Sequence, residues 1–217
     1  MMEELDLLKK DWKKNESSFE QVSEAAIYNM IHKKSSSIVK WILIISILEF
    51  VLWNVVSFFF LGDGYIKKKY GNDIFKYVVE INTIYNIINY AVVACFIYLF
   101  YKNYKRISTT TSTKQLMNDI LKTRKTVQYY VWFNILFFVF GSLVILYVQL
   151  NYDSKYLKIM DKIHHDTSYL LLLKSVGIVI GSLLIIVLLI WIFYKLLYGI
   201  LLLKLNKNYK ELEKIDL

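Results

Sequence analysis

The sequence has little of what most enzymes and metal proteins need: it contains no proline, one cysteine and three histidines in 217 residues. A single cysteine excludes an intramolecular disulfide framework and a zinc site built from CxxC pairs. The histidines, His32, His164 and His165, are too few and too scattered for most metal centres, so we expect no metal and no cofactor. The absence of proline favours unbroken helices, whereas secondary transporters commonly build their substrate sites from interrupted helices.

Arginine is also scarce, because Arg106 and Arg124 are the only two among 27 basic residues, set against 18 acidic ones. Surfaces that bind nucleic acid usually depend on arginine for bidentate contacts with bases and phosphates. The lysines lie mostly beside apolar runs, where they act as membrane-topology signals. We therefore expect the lipid bilayer as a partner and no nucleic acid.

Apolar residues, in contrast, are abundant, at 56% of the chain, above the about 45–50% of ordinary soluble domains. A helix that crosses a bilayer needs about 20 predominantly apolar residues. Four segments meet this requirement: 39–61, 78–101, 129–150 and 175–194. The sequence thus predicts an all-α protein, an integral membrane four-helix bundle with short cytosolic amphipathic helices.

The distribution of basic residues predicts the orientation of these spans. The loop between the second and third spans and the carboxyl-terminal tail carry more lysine and arginine than the two opposite loops. This favours an orientation with both termini in the cytosol. The predicted domains are cytosolic amphipathic helices in 1–37, a membrane domain in 38–204 that includes a cytosolic helix at 113–128, and a cytosolic helical tail in 205–217.

Apolar residues recur at helical spacing in the amino-terminal segment. They form two candidate partner faces, which consist of Leu5, Leu8 and Trp12, and of Ile27, Met30 and Ile31. An amphipathic helix outside the membrane must bury its apolar stripe. Packing against the helix 113–128 and the tail is one solution, and binding of a cytosolic protein is the other.

Glu49 lies near the middle of the first span, where a carboxylate is costly unless it is neutralised or paired. Counted from the span centres, Asn89, Ser142 and Ser182 lie at a similar depth in the other three helices. This predicts an intramembrane polar layer. Glu49 then either handles protons or ions, or fixes how the helices face one another.

Gly177 and Gly181 form a GxxxG pattern in the fourth span. Such a pattern allows close approach of helices. The approach is either within the same bundle or between two copies in a homo-oligomer.

The segments EELDLLKKDWKK, MIHKKSSSIVKWILIISILEF, LKTRKTVQYYVWFN and LLKLNKNYKELEKIDL together resemble an uncharacterised family of small integral membrane proteins from flavobacteria and related Bacteroidota. The resemblance implies a bacterial inner-membrane protein. Members tend to be encoded beside an extracytoplasmic-function sigma factor, which implies a membrane-bound regulator. Some members carry the label β-carotene 15,15′-monooxygenase. Such enzymes resemble β-propellers with iron held by four histidines, which this sequence does not supply.

The sequence therefore predicts a non-enzymatic membrane protein that regulates or tethers a cytosolic partner, with a sigma factor as one candidate. A small proton-linked transporter that uses Glu49 is the alternative.

Overall fold

The computed structural model of the protein describes residues 23–60, 72–152 and 169–214, and all of its regular elements in these ranges are helical. In chain order they are α1 (Glu24–Phe60), α2 (Asn72–Thr109), α3 (Thr113–Tyr152), α4 (Tyr169–Tyr194), a π-helical turn (Lys195–Gly199) and α5 (Ile200–Glu213). The backbone remains right-handed helical through the π turn, so α4 and α5 form one continuous rod. The prediction of an all-α four-helix bundle is confirmed.

The helices are much longer than a bilayer requires. Helices α1, α2 and α3 contain 37, 38 and 40 residues, which corresponds to about 55–60 Å at a rise of 1.5 Å per residue. The hydrocarbon core is only about 30 Å thick. We call α1, α2, α3 and the continuous α4–α5 helix the four rods of the bundle, numbered in chain order. Each of them contains a stretch long and apolar enough to cross the hydrocarbon core. The chain is therefore a multi-pass membrane protein whose helices project beyond the hydrocarbon.

One end of the bundle is formed by the start of α1, the end of α2, the start of α3 and the whole of α5. We call it the terminal end. Only residues 110–112 join α2 to α3 there, so these two helices are antiparallel neighbours. Polar pairs fix the register of the other helices, as in the hydrogen bond from Asn208 Nδ2 of α5 to Ser35 Oγ of α1 (2.9 Å).

Side chains from the first turns of α1 hydrogen-bond to backbone carbonyl groups at the end of α2. The carbonyl oxygens of a last helical turn have no partner within the helix. His32 Nε2 hydrogen-bonds to the carbonyl oxygen of Ile107 (2.6 Å), which places the ring proton on this nitrogen. The hydroxyl of Tyr28 donates to the carbonyl oxygen of Thr110 (3.1 Å). The two helices are thus joined by hydrogen bonds at the terminal end.

The best-packed core lies at this terminal end. Its fully buried apolar side chains come from all the helices that meet there: Val39, Ile42, Phe100, Ile107, Leu116, Ile120, Val127, Leu205 and Leu212. Farther along the rods most described apolar side chains face outwards, and none is buried in the most apolar stretch of the fourth rod. Lipid chains are as apolar as leucine, so such faces need no protein cover in a bilayer.

The structure changes the interpretation of the amino-terminal faces. Ile31 is buried and Ile27 is partly buried against the core, whereas Met30 is 57% exposed. Ile31 is thus a core residue rather than a partner contact, because its side of α1 packs against the other helices of the terminal end. Leu5, Leu8 and Trp12 lie outside the described residues.

Two boundaries drawn from the sequence fall inside continuous helices. Helix α1 passes through residue 37 without a break, and α3 runs from the predicted helix 113–128 directly into the third span. At the terminal end, the described parts of α1 and α3 that lie outside the predicted spans are therefore helical continuations of those spans.

Candidate functional site

Glu49 is almost completely buried, at 4% exposure, and three tyrosine hydroxyls donate hydrogen bonds to its carboxylate. Tyr130 of α3 and Tyr198 of the π turn each lie 3.0 Å from Oε2. Tyr194, the last residue of α4, donates to Oε1. We call these four residues the carboxylate–tyrosine cluster. It joins α1 to α3 and to the rod formed by α4 and α5.

The π turn explains why two tyrosines of one rod reach the same carboxylate. A π turn closes i→i+5 hydrogen bonds and therefore holds more residues per turn than an α-helix. Tyr194 and Tyr198, four residues apart, consequently lie nearly in line along the axis. Their rings stack with centroids 6.0 Å apart and an interplanar angle of 23°.

Aromatic side chains from α2 hold the third tyrosine in place. The ring of Tyr130 meets Phe96 and Phe100 edge-on, with centroid distances of 5.4 and 5.5 Å. Edge-to-face pairs of this kind are favourable beyond their buried area. Because Phe100 and Tyr130 are both buried, water is kept from this side of the cluster.

The cluster links the protonation state of one carboxyl group to hydrogen bonds among three helices. A carboxylate is an acceptor only, and three O–H donors satisfy it without a cation. Hydrogen bonds to a charged group are also stronger than neutral ones. A proton added to Glu49 would turn one of its oxygens into a donor. At least one tyrosine contact would then have to rearrange.

The predicted polar layer is not assembled around Glu49. The hydroxyls of Ser142 and Ser182 donate to carbonyl oxygens of their own helices, those of Phe138 and Val179. Asn89 has a buried Oδ1 with no hydrogen-bond partner among the described residues. The three residues therefore do not act as partners of Glu49 in the described part of the chain.

The difference comes from the register of the helices. Ser35 pairs with Asn208, and 14 residues farther along α1 the antiparallel rod presents Tyr194 to Glu49. Glu49 is therefore level with the ends of the third and fourth predicted spans rather than with their centres. The depth of a residue in the membrane cannot be counted from the centre of its apolar run here, because the helices extend beyond their apolar runs at the terminal end.

The close helix approach that the glycines predict occurs at a different glycine. A Cβ at Gly177 or Gly181 would meet nothing within 4 Å, whereas one at Gly141 would lie 2.5 Å from the hydroxyl oxygen of Tyr85. Tyr85 of α2 packs against α3 at this point. Its ring stacks on the ring of Phe137, and its hydroxyl donates a hydrogen bond to the carbonyl oxygen of Phe137 (2.9 Å). Contact between two copies through Gly177 and Gly181 stays a prediction.

Within residues 23–60, 72–152 and 169–214, no three histidine, cysteine or acidic side chains converge as metal ligands would. His164 and His165 lie outside these ranges.

Long apolar rods, outward apolar faces and a buried carboxylate held by hydroxyls define a multi-pass α-helical membrane protein. The chain belongs to the family described as a domain of unknown function (DUF8845), whose family model matches residues 25–217. This match covers all described helices except the first residue of α1. No curated protein and no solved structure gives a significant match.

Proposed function

We propose that the protein is a non-enzymatic scaffold or regulator of a bacterial inner membrane, which holds a cytosolic partner at its terminal end. The observation that carries this proposal is the position of the core. Much of the best-packed core lies in the helix ends beyond the apolar runs, as Ile107, Leu116, Ile120, Leu205 and Leu212 do, and it continues into the adjoining turns of the spans. A protein that only had to cross the bilayer would need no such extension.

The charge of the terminal end supports its placement in the cytosol in this proposal. The lysines and arginines of the α2–α3 region and of α5 collect there, as the positive-inside rule requires of a cytosolic face. The flavobacterial source and a sigma factor as the partner rest on the sequence resemblance described above.

The start of α1 offers a contact surface for the partner. Met30 is exposed, and Lys33 and Lys34 are exposed on the following turn. An exposed methionine is an adaptable apolar contact, and the two lysines favour a partner with acidic residues beside an apolar patch. Leu5, Leu8 and Trp12 precede this surface in the chain and extend it in the proposal.

The test is in-membrane crosslinking in the native host followed by mass spectrometry, on the wild-type chain and on Met30→Glu. The added carboxylate repels an acidic partner, so we expect capture of the cytosolic partner to fall at least about tenfold. A chain without residues 1–22 extends the test to the preceding segment. The deletion must stop there, because Ile31 and Ile38 belong to the core.

The matched control is Met30→Lys, which also removes the thioether but keeps the positive charge of the surface. Partner capture that is equal in wild type, Met30→Glu and the shortened chain would contradict the tethering role. Membrane neighbours captured equally by all variants would place the function in the spans.

A proton-linked transporter or ion-handling protein is the second candidate, and the carboxylate–tyrosine cluster favours it. A carboxylate within an apolar membrane-spanning run is rare and commonly functional. Protonation of Glu49 would change at least one of its hydrogen bonds to Tyr130 of α3, Tyr194 of α4 or Tyr198 of the π turn. A proton could thereby alter the helix packing through which a substrate passes.

This candidate predicts proton flux that depends on Glu49. We expect proteoliposomes with the wild-type chain to dissipate an imposed pH gradient, followed by a pH-sensitive dye, and those with Glu49→Gln to hold it. Glutamine keeps the size and the acceptor oxygen of the side chain but cannot ionise. Equal flux in both proteins, or none in either, would remove the case for this function.

A further inference from the structure

Two charged residues lie within the long apolar runs of the described helices, and their surroundings differ. Glu49 is buried and accepts hydrogen bonds from three tyrosines. Lys195 interrupts the apolar run 175–203 of the fourth rod, and its side chain is exposed. A charged side chain within a membrane span is rare and marks a functional position, unless it lies near the helix end and reaches the headgroups. The depth of Lys195 decides between these two cases.

The register between α1 and the fourth rod gives this depth. Two hydrogen-bonded pairs are 14 residues apart on both helices: Ser35–Asn208 and Glu49–Tyr194. Residue 204 is therefore level with residue 39, where the first predicted span begins. Lys195 lies nine residues, or about 14 Å, farther into the bilayer from this boundary. Since the hydrocarbon core is about 30 Å thick, Lys195 lies close to its middle.

The apolar run of the fourth rod agrees with this depth. The fourth predicted span ends at residue 194, directly before Lys195, but the apolar run resumes at residue 196 and continues to 203. In this stretch Leu196, Ile200 and Leu203 are 61%, 50% and 70% exposed. Hydrocarbon around these side chains accounts for their exposure, because lipid chains are as apolar as leucine.

The side chain of Lys195 does not extend back to the near membrane surface. Its ammonium lies 4.6 Å from the centroid of the Trp191 ring, one helical turn farther from the terminal end. A cation over an aromatic ring is attracted to it, which offsets part of the cost of a charge in hydrocarbon. No carboxylate is among the described residues that line the groove beside Lys195. Lys195 therefore requires an anionic partner at its own depth.

This groove is long enough for a helix. It has a volume of about 630 Å³ and follows the boundary between α3 and the fourth rod from Trp191 to Asn206, a distance of about 22 Å along the rod. Its lining is mostly apolar and contains Gly199. A small residue allows another helix to approach closely, and the side-chain ridge of one helix packs into such a groove of its neighbour. The groove thus offers an apolar surface of helical shape with a cation in the middle of the membrane.

Two other sources of negative charge do not reach Lys195. The phosphate of a lipid lies outside the hydrocarbon core, whereas the ammonium lies well inside it. In a symmetric dimer whose axis follows the membrane normal, each residue of the second copy keeps its depth. The described carboxylate at this depth is Glu49, which three hydroxyls occupy. Glu80 is exposed, but it lies near the start of the second predicted span, at the opposite side of the bilayer.

We infer that this groove binds a membrane-spanning helix of another protein, which carries an aspartate or glutamate within its own apolar run. The carboxylate pairs with Lys195, and apolar side chains of the same helix cover the exposed leucines and isoleucine of the groove. Arg124, held at Asn206 by a hydrogen bond of 2.8 Å, lies about 16 Å nearer the terminal end. There its remaining N–H groups meet polar groups at the end of the bound helix. This inference is independent of the tethering role, because Met30 lies at the start of α1 and outside the groove.

The test uses a defined probe, a synthetic leucine-rich membrane-spanning peptide with one aspartate at its midpoint. The same peptide with leucine at this position is the reference. Energy transfer from a donor dye on the peptide to an acceptor dye at the carboxyl terminus of the full-length chain reports association in phosphatidylcholine vesicles. We expect the aspartate peptide to bind the wild-type chain about tenfold more tightly than the leucine peptide, and Lys195→Met to abolish this preference.

The matched control is Lys174→Met, which makes the same change at an exposed position of the same rod outside the groove. This variant should keep the preference of the wild type. A charge reversal keeps the test valid if Lys195→Met fails to fold. Lys195→Glu should lose its preference for the aspartate peptide and bind a peptide with lysine at the midpoint about tenfold more tightly than the leucine peptide.

Four outcomes would overturn the inference. The first two are equal binding of both peptides by the wild type, and an equal preference in wild type and Lys195→Met. The third is energy transfer between two labelled copies, without peptide, that Lys195→Met removes, because a second copy would then occupy the groove. The fourth is loss of the preference when phosphatidylglycerol is added to the vesicles, because a lipid phosphate would then be the partner of Lys195.

Discussion

Replacement of Glu49 by leucine is expected to lower the free energy of unfolding substantially. The change leaves the hydroxyls of Tyr130, Tyr194 and Tyr198 without their acceptor in a buried place. A buried polar group without a partner costs about 1–3 kcal/mol, so the total loss should be about 3 kcal/mol or more. The measurement is an equilibrium unfolding titration of the purified protein in mixed micelles with a denaturing detergent.

The control for this prediction removes both sides of the interaction. A chain with Glu49→Leu and phenylalanine at all three tyrosine positions has no polar group left to satisfy. Such replacements can be nearly neutral, so we expect most of the lost stability to return. If the single and the combined variants were equally unstable, the hydroxyl bonds would not be what holds these helices together.

Glu49→Gln should be intermediate, with a loss of about 1–2 kcal/mol, because the amide oxygen still accepts but the amide NH2 puts donors where a carboxyl oxygen accepted from a tyrosine hydroxyl. The measured stability of Glu49→Gln is also the folding control for the flux experiment. A protein that remains folded and loses proton flux has lost a titrating group rather than its structure.

The sequence identifies Glu49 because a carboxylate within an apolar run is rare, but it does not identify the partners of Glu49. Tyr130 and Tyr194 lie at the ends of predicted spans, where tyrosine is ordinary as an interface anchor. Their roles depend on the register between antiparallel rods, which hydropathy does not encode. The spacing of four residues between Tyr194 and Tyr198 is the one local signal that both face the same neighbour.

The fold was more accessible to prediction than the site. Apolar runs of membrane length follow directly from composition, and the predicted class is confirmed. The length by which the helices continue beyond their apolar runs could not be predicted from hydropathy in the same way. Ser35 and Asn208, polar residues in segments predicted as cytosolic helices, are buried against one another. Such pairs become visible only when the tertiary structure brings distant segments together.

The two environments along α3 should respond differently to the same truncation. Ile120 lies in the core of the terminal end and is completely buried, and Ile135 lies within the third predicted span and is 7% exposed. At the terminal end an unfolded side chain meets water, so removal of its methyl groups loses both transfer free energy and packing. Within the bilayer the unfolded side chain meets lipid, so only packing is lost.

We therefore expect Ile120→Ala to cost about 2–5 kcal/mol and Ile135→Ala roughly half as much, in the same unfolding titration carried out in bilayer-like bicelles. Leu121→Ala is the control for helix propensity, because Leu121 follows directly in sequence and is 37% exposed. Its effect should stay within about 0.5 kcal/mol. Equal losses for the two isoleucines would contradict a terminal end that stands in water, because the hydrophobic effect would then not distinguish the two halves of α3.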